Sequence, residues 1–267
     1  MNRRELISSA TALAMLGALP ALAKNSSVAS HPLANTRHGQ VRGYLSGGLA
    51  VFKGIRYGAD TAAHRFMPPR PPEPWAGVAD ALEYGPAAPQ ANSRETISED
   101  CLFLNVWTPD TDSRALRPVM FYIHGGAYSH GSGSHPQYDG AELCRRGDVV
   151  VVTVNHRLNA FGYLYLQGLA GTESGPEPDL GLADSGNVGQ LDLVLALRWV
   201  QDNIANFGGD PDRVLAFGQS GGGAKIAAMM AMPAAQGLFQ RVATMSGQQV
   251  TASGPANATA RSRAFMQ

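Results

Sequence analysis

LAFGQSGGGAK, Leu215 to Lys225, crowds four glycines and one serine around a single turn. Two chemistries use such a loop: cradling a phosphate, or lifting a nucleophile out of a chain reversal. A phosphate loop of the P-loop type needs G-x-x-x-x-G-K followed by Ser or Thr, the hydroxyl being there to hold magnesium. Here Gly223 is followed by Ala224, Lys225 and Ile226, so the lysine is displaced and the hydroxyl is absent. The dinucleotide fingerprint G-x-G-x-x-G is absent as well. What does fit is Gly218-Gln219-Ser220-Gly221-Gly222, a G-x-S-x-G set between the apolar run RVLAF (Arg213–Phe217) and the helix-forming AKIAAMMAM (Ala224–Met232). A strand that turns abruptly into a helix strains the central residue, and a Cβ two residues to either side would clash. The serine oxygen then projects over the sheet end with the positive helix N-terminus behind it. Ser220 is therefore the candidate nucleophile.

A second glycine turn, His124-Gly125-Gly126-Ala127-Tyr128, follows the apolar run PVMFYI (Pro118–Ile123). Acyl transfer needs backbone N–H donors aimed at the oxygen that becomes negative, and a turn after an earlier strand supplies them. The candidate donors are Gly126 and Ala127, together with the N–H of Gly221 just after the serine.

The surrounding chain predicts an α/β layered domain. PVMFYI, DVVVVTV (Asp148–Val154) and RVLAF are near-continuous apolar runs, as in strands of a parallel sheet covered on both faces. Between the last two, GQLDLVLALRWVQDNIANF (Gly189–Phe207) carries Leu193, Leu197, Val200 and Ile204 at helical spacing. A further apolar run follows at Phe239–Met245, and residues 38–58 read as short strands split at Gly47-Gly48. Proline crowds RFMPPRPPEPW (Arg65–Trp75), which excludes helix there. The formal net charge is zero, so nothing draws the chain to nucleic acid or an anionic membrane. The two cysteines, Cys101 and Cys144, read as separate thiols, and nothing matches zinc-ligand spacing.

The N-terminus predicts a leader. Arg3 and Arg4 precede an apolar run, Leu6–Leu19, too short to span a bilayer, and Ala21-Leu22-Ala23 is an A-x-A cleavage pattern. The NRRELI context resembles a twin-arginine export signal; an ordinary secretory signal that happens to carry two arginines is the alternative. Either way, residues 1–23 are expected to be removed and residues 24–267 to act outside a bacterial cytoplasm, in the periplasm or beyond.

With both turns in place, the chain resembles the type-B carboxylesterases, the cholinesterase-like and para-nitrobenzyl-esterase-like branch of the α/β-hydrolases. The resemblance runs from about His38 to Gln248. It is carried by EDCLFLNV (Glu99–Val106), HGGAY, NHRLNAFGY (Asn155–Tyr163), GNVGQLD (Gly186–Asp192) and FGGDPDRVLAFGQSGG (Phe207–Gly222). It implies an α/β-hydrolase fold with a mostly parallel central sheet flanked by helices. It also implies hydrolysis of small-molecule carboxylic esters through a serine acyl-enzyme, with no metal or cofactor. Arg65 is then expected to pair with Glu99 and Arg157 with Asp192, as scaffold. Cys101 often bonds an upstream cysteine in the family, but GPAAPQ (Gly85–Gln90) has none. The family usually has glutamate before the nucleophile. Gln219 removes that negative charge, which favours uncharged esters over choline esters.

One requirement is unmet. The family's chain order is serine, acid, histidine, yet all seven histidines precede Ser220 and residues 221–267 contain no Asp, Glu or His. The expectation is therefore a chain truncated after the nucleophile turn, with little or no activity alone. The run Val242–Met245 is expected to form an exposed edge strand, since SGPANATARSRAFMQ (Ser253–Gln267) has too few apolar residues to cover it. The alternative reading is a catalytically inactive binding or adhesion module of the same fold.

Overall fold

The computed structural model describes residues 31–267 apart from 173, 174, 176, 178–180 and 249–251. The leader expected over residues 1–23 lies outside the described residues. The elements follow in chain order: β1 (Leu33–Thr36), β2 (Gly39–Arg42), β3 (Tyr44–Ser46), β4 (Leu49–Arg56), β5 (Val78–Asp80), β6 (Phe103–Thr108) and β7 (Arg117–Ile123) come first. Then come α1 (Ala141–Gly147), β8 (Val150–Val154), α2 (Asn159–Tyr163), α3 (Val188–Asn203), β9 (Gly209–Gln219), α4 (Gly221–Met230), β10 (Arg241–Met245) and α5 (Pro255–Met266).

Two sheets form. A small one has the order β1-β2-β5, and the large one runs β10-β9-β7-β8-β6-β4-β3. In the large sheet β10, β9, β7 and β8 pair parallel, whereas β8/β6, β6/β4 and β4/β3 pair antiparallel. Five of its seven strands point the same way, because β4 regains the direction that β6 reverses. The sheet is thus mixed: only half of its neighbouring pairs are parallel, and the parallel half is where the two glycine turns emerge. The tight Gly47-Gly48 turn makes β3 and β4 antiparallel, since both glycines take φ values of +56° and +81°.

Helices cover both faces. α3 buries Leu193, Leu197 and Val200 in the core, as their spacing predicts, and Ile204 is buried in the tighter turn that follows it. Phe207 there packs edge-on to Phe52 at 5.0 Å and against Trp199 at 5.6 Å. α1 covers the opposite face with Cys144 over Trp107 and Val151. β8 is buried along its whole length, whereas β7 alternates buried with half-buried residues from Pro118 and β9 does so from Val214 to Gly218, with Asp212, Arg213 and Gln219 exposed. Tyr138 partly covers this second face by packing on Tyr122 at 4.8 Å, and Tyr122 in turn meets Phe217 at 5.0 Å. β10 is the sheet's edge, pairing only with β9. Residues 255–266 form α5, and α5 packs at Gly168 through Thr259 rather than over β10. Both cysteines are buried and free. Burial pushes the Cys144 thiol up to about 12.

The two expected ion pairs form, in opposite environments. Arg157 and Asp192 are fully buried. Arg157 donates through Nε (2.9 Å) and its terminal guanidinium nitrogen (2.6 Å) to the carboxylate, and its backbone N–H adds a bond of 2.9 Å. A further guanidinium N–H reaches the Met67 carbonyl at 2.9 Å, which fastens the proline-rich segment to the core. Burial works against the Arg157 charge, and Asp192 outweighs it, holding the guanidinium above its ordinary range. Arg65, by contrast, meets Glu99 with its side chain half exposed. The alternate acid of that loop, Asp100, pairs with Arg56 through two bonds of 2.5 and 2.7 Å.

Breaking a buried pair strands a charge in the interior, which costs about 3–5 kcal/mol. Arg157→Met is expected to lower unfolding free energy by about that amount in urea titration, and adding Asp192→Leu should recover most of the loss. Arg65→Ala should move the denaturation midpoint far less, because water already solvates its guanidinium.

Candidate active site

β7 and β9 are parallel neighbours, with Ile123 opposite Gly218. Their carboxyl ends therefore stop at the same level, and the chain turns there twice, side by side. At the end of β9, Ser220 takes φ +55° and ψ −122°, a conformation that L residues with side chains rarely hold. It is locked from both sides: Ser220 N–H donates to the Met245 carbonyl at 2.7 Å, and its own carbonyl accepts from Ala224 N–H at 3.0 Å. The flanking glycines are required by contact. A Cβ on Gly222 would sit 2.0 Å from the Ile123 carbonyl oxygen, and one on Gly218 would sit 2.7 Å from it. The strand-turn-helix geometry expected around Ser220 is present, and α4 begins directly behind it.

At the end of β7, Gly126 has φ +91° and Ala127 φ +52°. This turn touches the first one. A Cβ on Gly221 would fall 2.3 Å from the Ala127 oxygen, and one on Gly125 would fall 3.5 Å from Ser220 Cβ. The structure thus brings Ser220, Gly126, Ala127 and Gly221 into one cluster. Several side chains fix the turn. Gln90 accepts from Gly131 N–H at 2.7 Å and donates back to the Gly131 carbonyl at 2.9 Å. Asn159 donates to the Ser129 carbonyl at 2.9 Å, while its backbone N–H donates to the Tyr128 carbonyl at 2.8 Å. Lys225, fully buried on α4, donates its Nζ to the Ala127 carbonyl and lies 3.5 Å from the Gly221 carbonyl.

None of the seven histidines serves Ser220 as a base. His124 is buried, its Nδ1 meets the Gly125 carbonyl at 2.8 Å, and burial brings it down to about 3. His156 stacks on His124 with ring centroids 4.7 Å apart, and burial likewise lowers it well below its ordinary value. It lies in the loop after β8 and is completely buried. His130 is exposed and meets Ser129 Oγ at 3.1 Å, and His135 caps a short turn by accepting from Gln137 N–H. His31, His38 and His64 belong to the region of the small sheet and the proline-rich loop, away from both turns.

A cleft of about 440 Å³ opens beside the second turn, bounded by Gly125, Gly126, His130, Arg94, Glu95 and Tyr138 among others. A larger one of about 570 Å³ lies between α2 and α5, at Tyr163, Asn187, Arg261 and Phe265. Size does not choose between them. Gly125 and Gly126 of the second turn line the smaller cleft, whereas neither glycine turn lines the larger one, so the smaller is the one beside an expected amide donor.

Sequence reasoning missed Lys225 in this role, using it only to reject a phosphate loop. Its signal was a lone cation in the otherwise apolar AKIAAMMAM. The remaining clamps, Gln90 and Asn159, sit far from the turn in sequence, and only the fold brings them to it.

Comparison with known proteins gives a family and a fold. The model of the carboxylesterase family matches residues 30–265. The para-nitrobenzyl esterase of Bacillus subtilis (strain 168) is 44% identical over 247 residues, covering 89% of this chain and 48% of that protein. The phenmedipham hydrolase of Pseudarthrobacter oxydans is 39% identical over 229 residues, covering 81% and 43%. A crystal structure of a Geobacillus stearothermophilus carboxylesterase superposes with a TM-score of 0.79 at 45% identity, over 86% of this chain and 47% of that one. The chain spans about half the length of the relatives it matches.

Two outcomes follow from the packing. Gly222→Ala must push a Cβ into backbone, so a loss of about 1–3 kcal/mol is expected in thermal unfolding, with Ser246→Ala as the mild control. Burial also depresses Lys225 from 10.5 to about 7. Between those values the unfolded chain binds a proton that the folded chain does not, so folded stability gains with rising pH, by at most about 1.4 kcal/mol per unit. Lys225→Met lacks this gain. Urea titrations should show the variant at its greatest relative advantage below pH 7, with native protein overtaking ground steadily toward pH 10.

Proposed function

Because the chain belongs to the carboxylesterase family, we propose that it supplies the nucleophile and the oxyanion cradle of a serine carboxylic ester hydrolase. The observation that supports this reading most is the strained Ser220 turn packed against Gly125 and Ala127. Ser220 Oγ attacks the ester carbonyl carbon, and the carbonyl oxygen takes up the negative charge. The N–H groups of Gly126, Ala127 and Gly221 receive that charge; losing one such donor typically costs roughly 3 kcal/mol of barrier. Collapse of the tetrahedral species breaks the ester C–O bond, releases the alcohol and leaves an acyl-serine. Water then attacks the acyl carbon and regenerates the hydroxyl.

The proton taken from Ser220 and given to the alcohol needs a base oriented by a carboxylate. Residues 221–267 contain neither, and the histidines before Ser220 are engaged elsewhere. We take this chain alone to acylate slowly, the full rate requiring an acid and a histidine that it does not provide. The neutral Gln219 beside the nucleophile favours uncharged esters. The leader pattern over residues 1–23 supports action outside a bacterial cytoplasm. The same lack of a base favours one second reading, a binding module that keeps the fold without turnover.

A neutral fluorophosphonate probe with intact-mass detection separates these. Slow labelling confined to Ser220, abolished in Ser220→Ala, is expected of the chain alone. Rapid stoichiometric labelling would show that a base is present after all. Labelling that persists in Ser220→Ala would remove Ser220 from the reaction, and no labelling over many hours would favour the binding module.

A further inference from the structure

We propose that Lys225 is a positioning residue for the oxyanion cradle, its buried ammonium tying together the carbonyls of Ala127 and Gly221 from beneath. This rests on the ester-hydrolase reading for its purpose, but its geometry stands alone. The two residues that Lys225 grips are two of the three whose N–H groups are assigned to the oxyanion. One lies on the turn after β7 and the other opens α4, so a single side chain bridges the two separate pieces of backbone that must stay aligned. Alignment matters because each donor must point at an oxygen within about 3 Å, and small displacements forfeit much of the stabilisation. Ala127 is also the position that most needs holding, being a non-glycine residue at φ +52°.

Lys225 Nζ does not take the other obvious role, that of base to Ser220. Its hydrogen bonds go to the two carbonyls, and the Tyr128 ring caps it at 4.6 Å from the ring centroid. As an N–H donor to carbonyls it fixes peptide orientation and removes no proton from the serine.

The environment makes this tie responsive to pH. Among the described residues no carboxylate pairs with Lys225, and burial alone brings it to about 7. The groups facing it from packed elements carry no opposing charge. From the β7 turn these are His124, held neutral by burial, and Tyr128, whose phenol burial raises. From the loop after β8 it is His156, also neutral, and from α3 it is Gln190, which binds the Lys225 carbonyl. The charged pair nearby, Arg157 with Asp192, is mutually satisfied. Below about pH 7 the ammonium makes charge-assisted bonds to both carbonyls, and these are roughly twice as strong as neutral ones. Above it, the amine retains weaker bonds and the cradle loosens within the folded chain, where Lys225 stays buried; openings that hydrate Lys225 instead become rarer with rising pH, as global unfolding does.

The chain has three lysines, Lys24, Lys53 and Lys225, so carbon-13 labelling at lysine Cε gives a readable spectrum. One resonance, missing from Lys225→Met, is expected to titrate near pH 7. Hydrogen exchange of the peptide spanning residues 124–131, corrected for intrinsic base catalysis, should rise through the same pH in native protein. In Lys225→Met it should be about tenfold faster at pH 6 and show no such rise, while α3 exchange stays unchanged. Fluorophosphonate labelling of Ser220 per folded molecule should fall about 10- to 100-fold in that variant. Lys225→Gln, which keeps an N–H donor on a shorter stem, should recover part of the protection.

A lysine Cε titrating near its ordinary pH, with turn exchange indifferent to Lys225→Met, overturns the proposal. So does a variant that merely melts earlier while exchange and labelling per folded molecule hold. If Lys225→Met does not fold, the native exchange profile and lysine titration decide by themselves: coincident midpoints support the tie, and a flat profile ends it. Failure of native protein to label at Ser220 counts against the ester-hydrolase reading alone, because titration and exchange require no reaction.

Discussion

The contact between Gly221 and Ala127 is the constraint on which the rest of the site depends. It exists because β7 and β9 are adjacent parallel strands in a register that ends both at one level. Two chain reversals placed there have no room for side chains between them. Cβ atoms at Gly218 and Gly222 would strike the Ile123 carbonyl, and one at Gly221 would strike Ala127 itself. The glycines are therefore less about flexibility than about distance: they let two stretches of backbone come into direct contact. The strain at Ser220 and Ala127 is then borne by what surrounds them. β10 contributes the Met245 carbonyl, and Gln90, Asn159 and Lys225 hold the second turn.

This half of the site was legible in the sequence because its signals are local. An apolar run, a glycine-flanked serine and a helix former lie consecutively, and each glycine reports a contact that backbone geometry demands. The spacing of Leu193, Leu197 and Val200 gave α3 for the same reason. Features set by distant parts of the chain were not readable. Arg65 and Arg157 pair as expected, yet only the fold shows that one pair faces water and the other is sealed inside. The antiparallel half of the sheet depends on where β6 inserts, next to β8 rather than beside its sequence neighbours. His156 lies in a loop, and only the fold shows that it is buried against His124. α5 escaped notice because its composition, rich in Ala, Arg and polar residues, has no apolar stripe to reveal it.

The buried charges show why similar residues acquire different roles. Arg157 has a carboxylate that matches its guanidinium in geometry and charge, and the pair makes no demand on pH near neutrality. Lys225 has only neutral carbonyl oxygens, so desolvation is offset by hydrogen bonds and not by an opposite charge. A methionine fills similar volume at that position without the penalty, so packing gives no reason for an ammonium there. The carbonyls give one. They belong to the two turns that meet beside Ser220, and an apolar chain cannot hold them. The desolvation that keeps His124 and His156 neutral removes them as proton carriers, whereas in Lys225 it brings the charge change into the neutral range. Beneath the two turns, one buried environment thus silences two titratable groups and leaves a third poised, because the imidazoles begin near neutrality and the amine begins well above it.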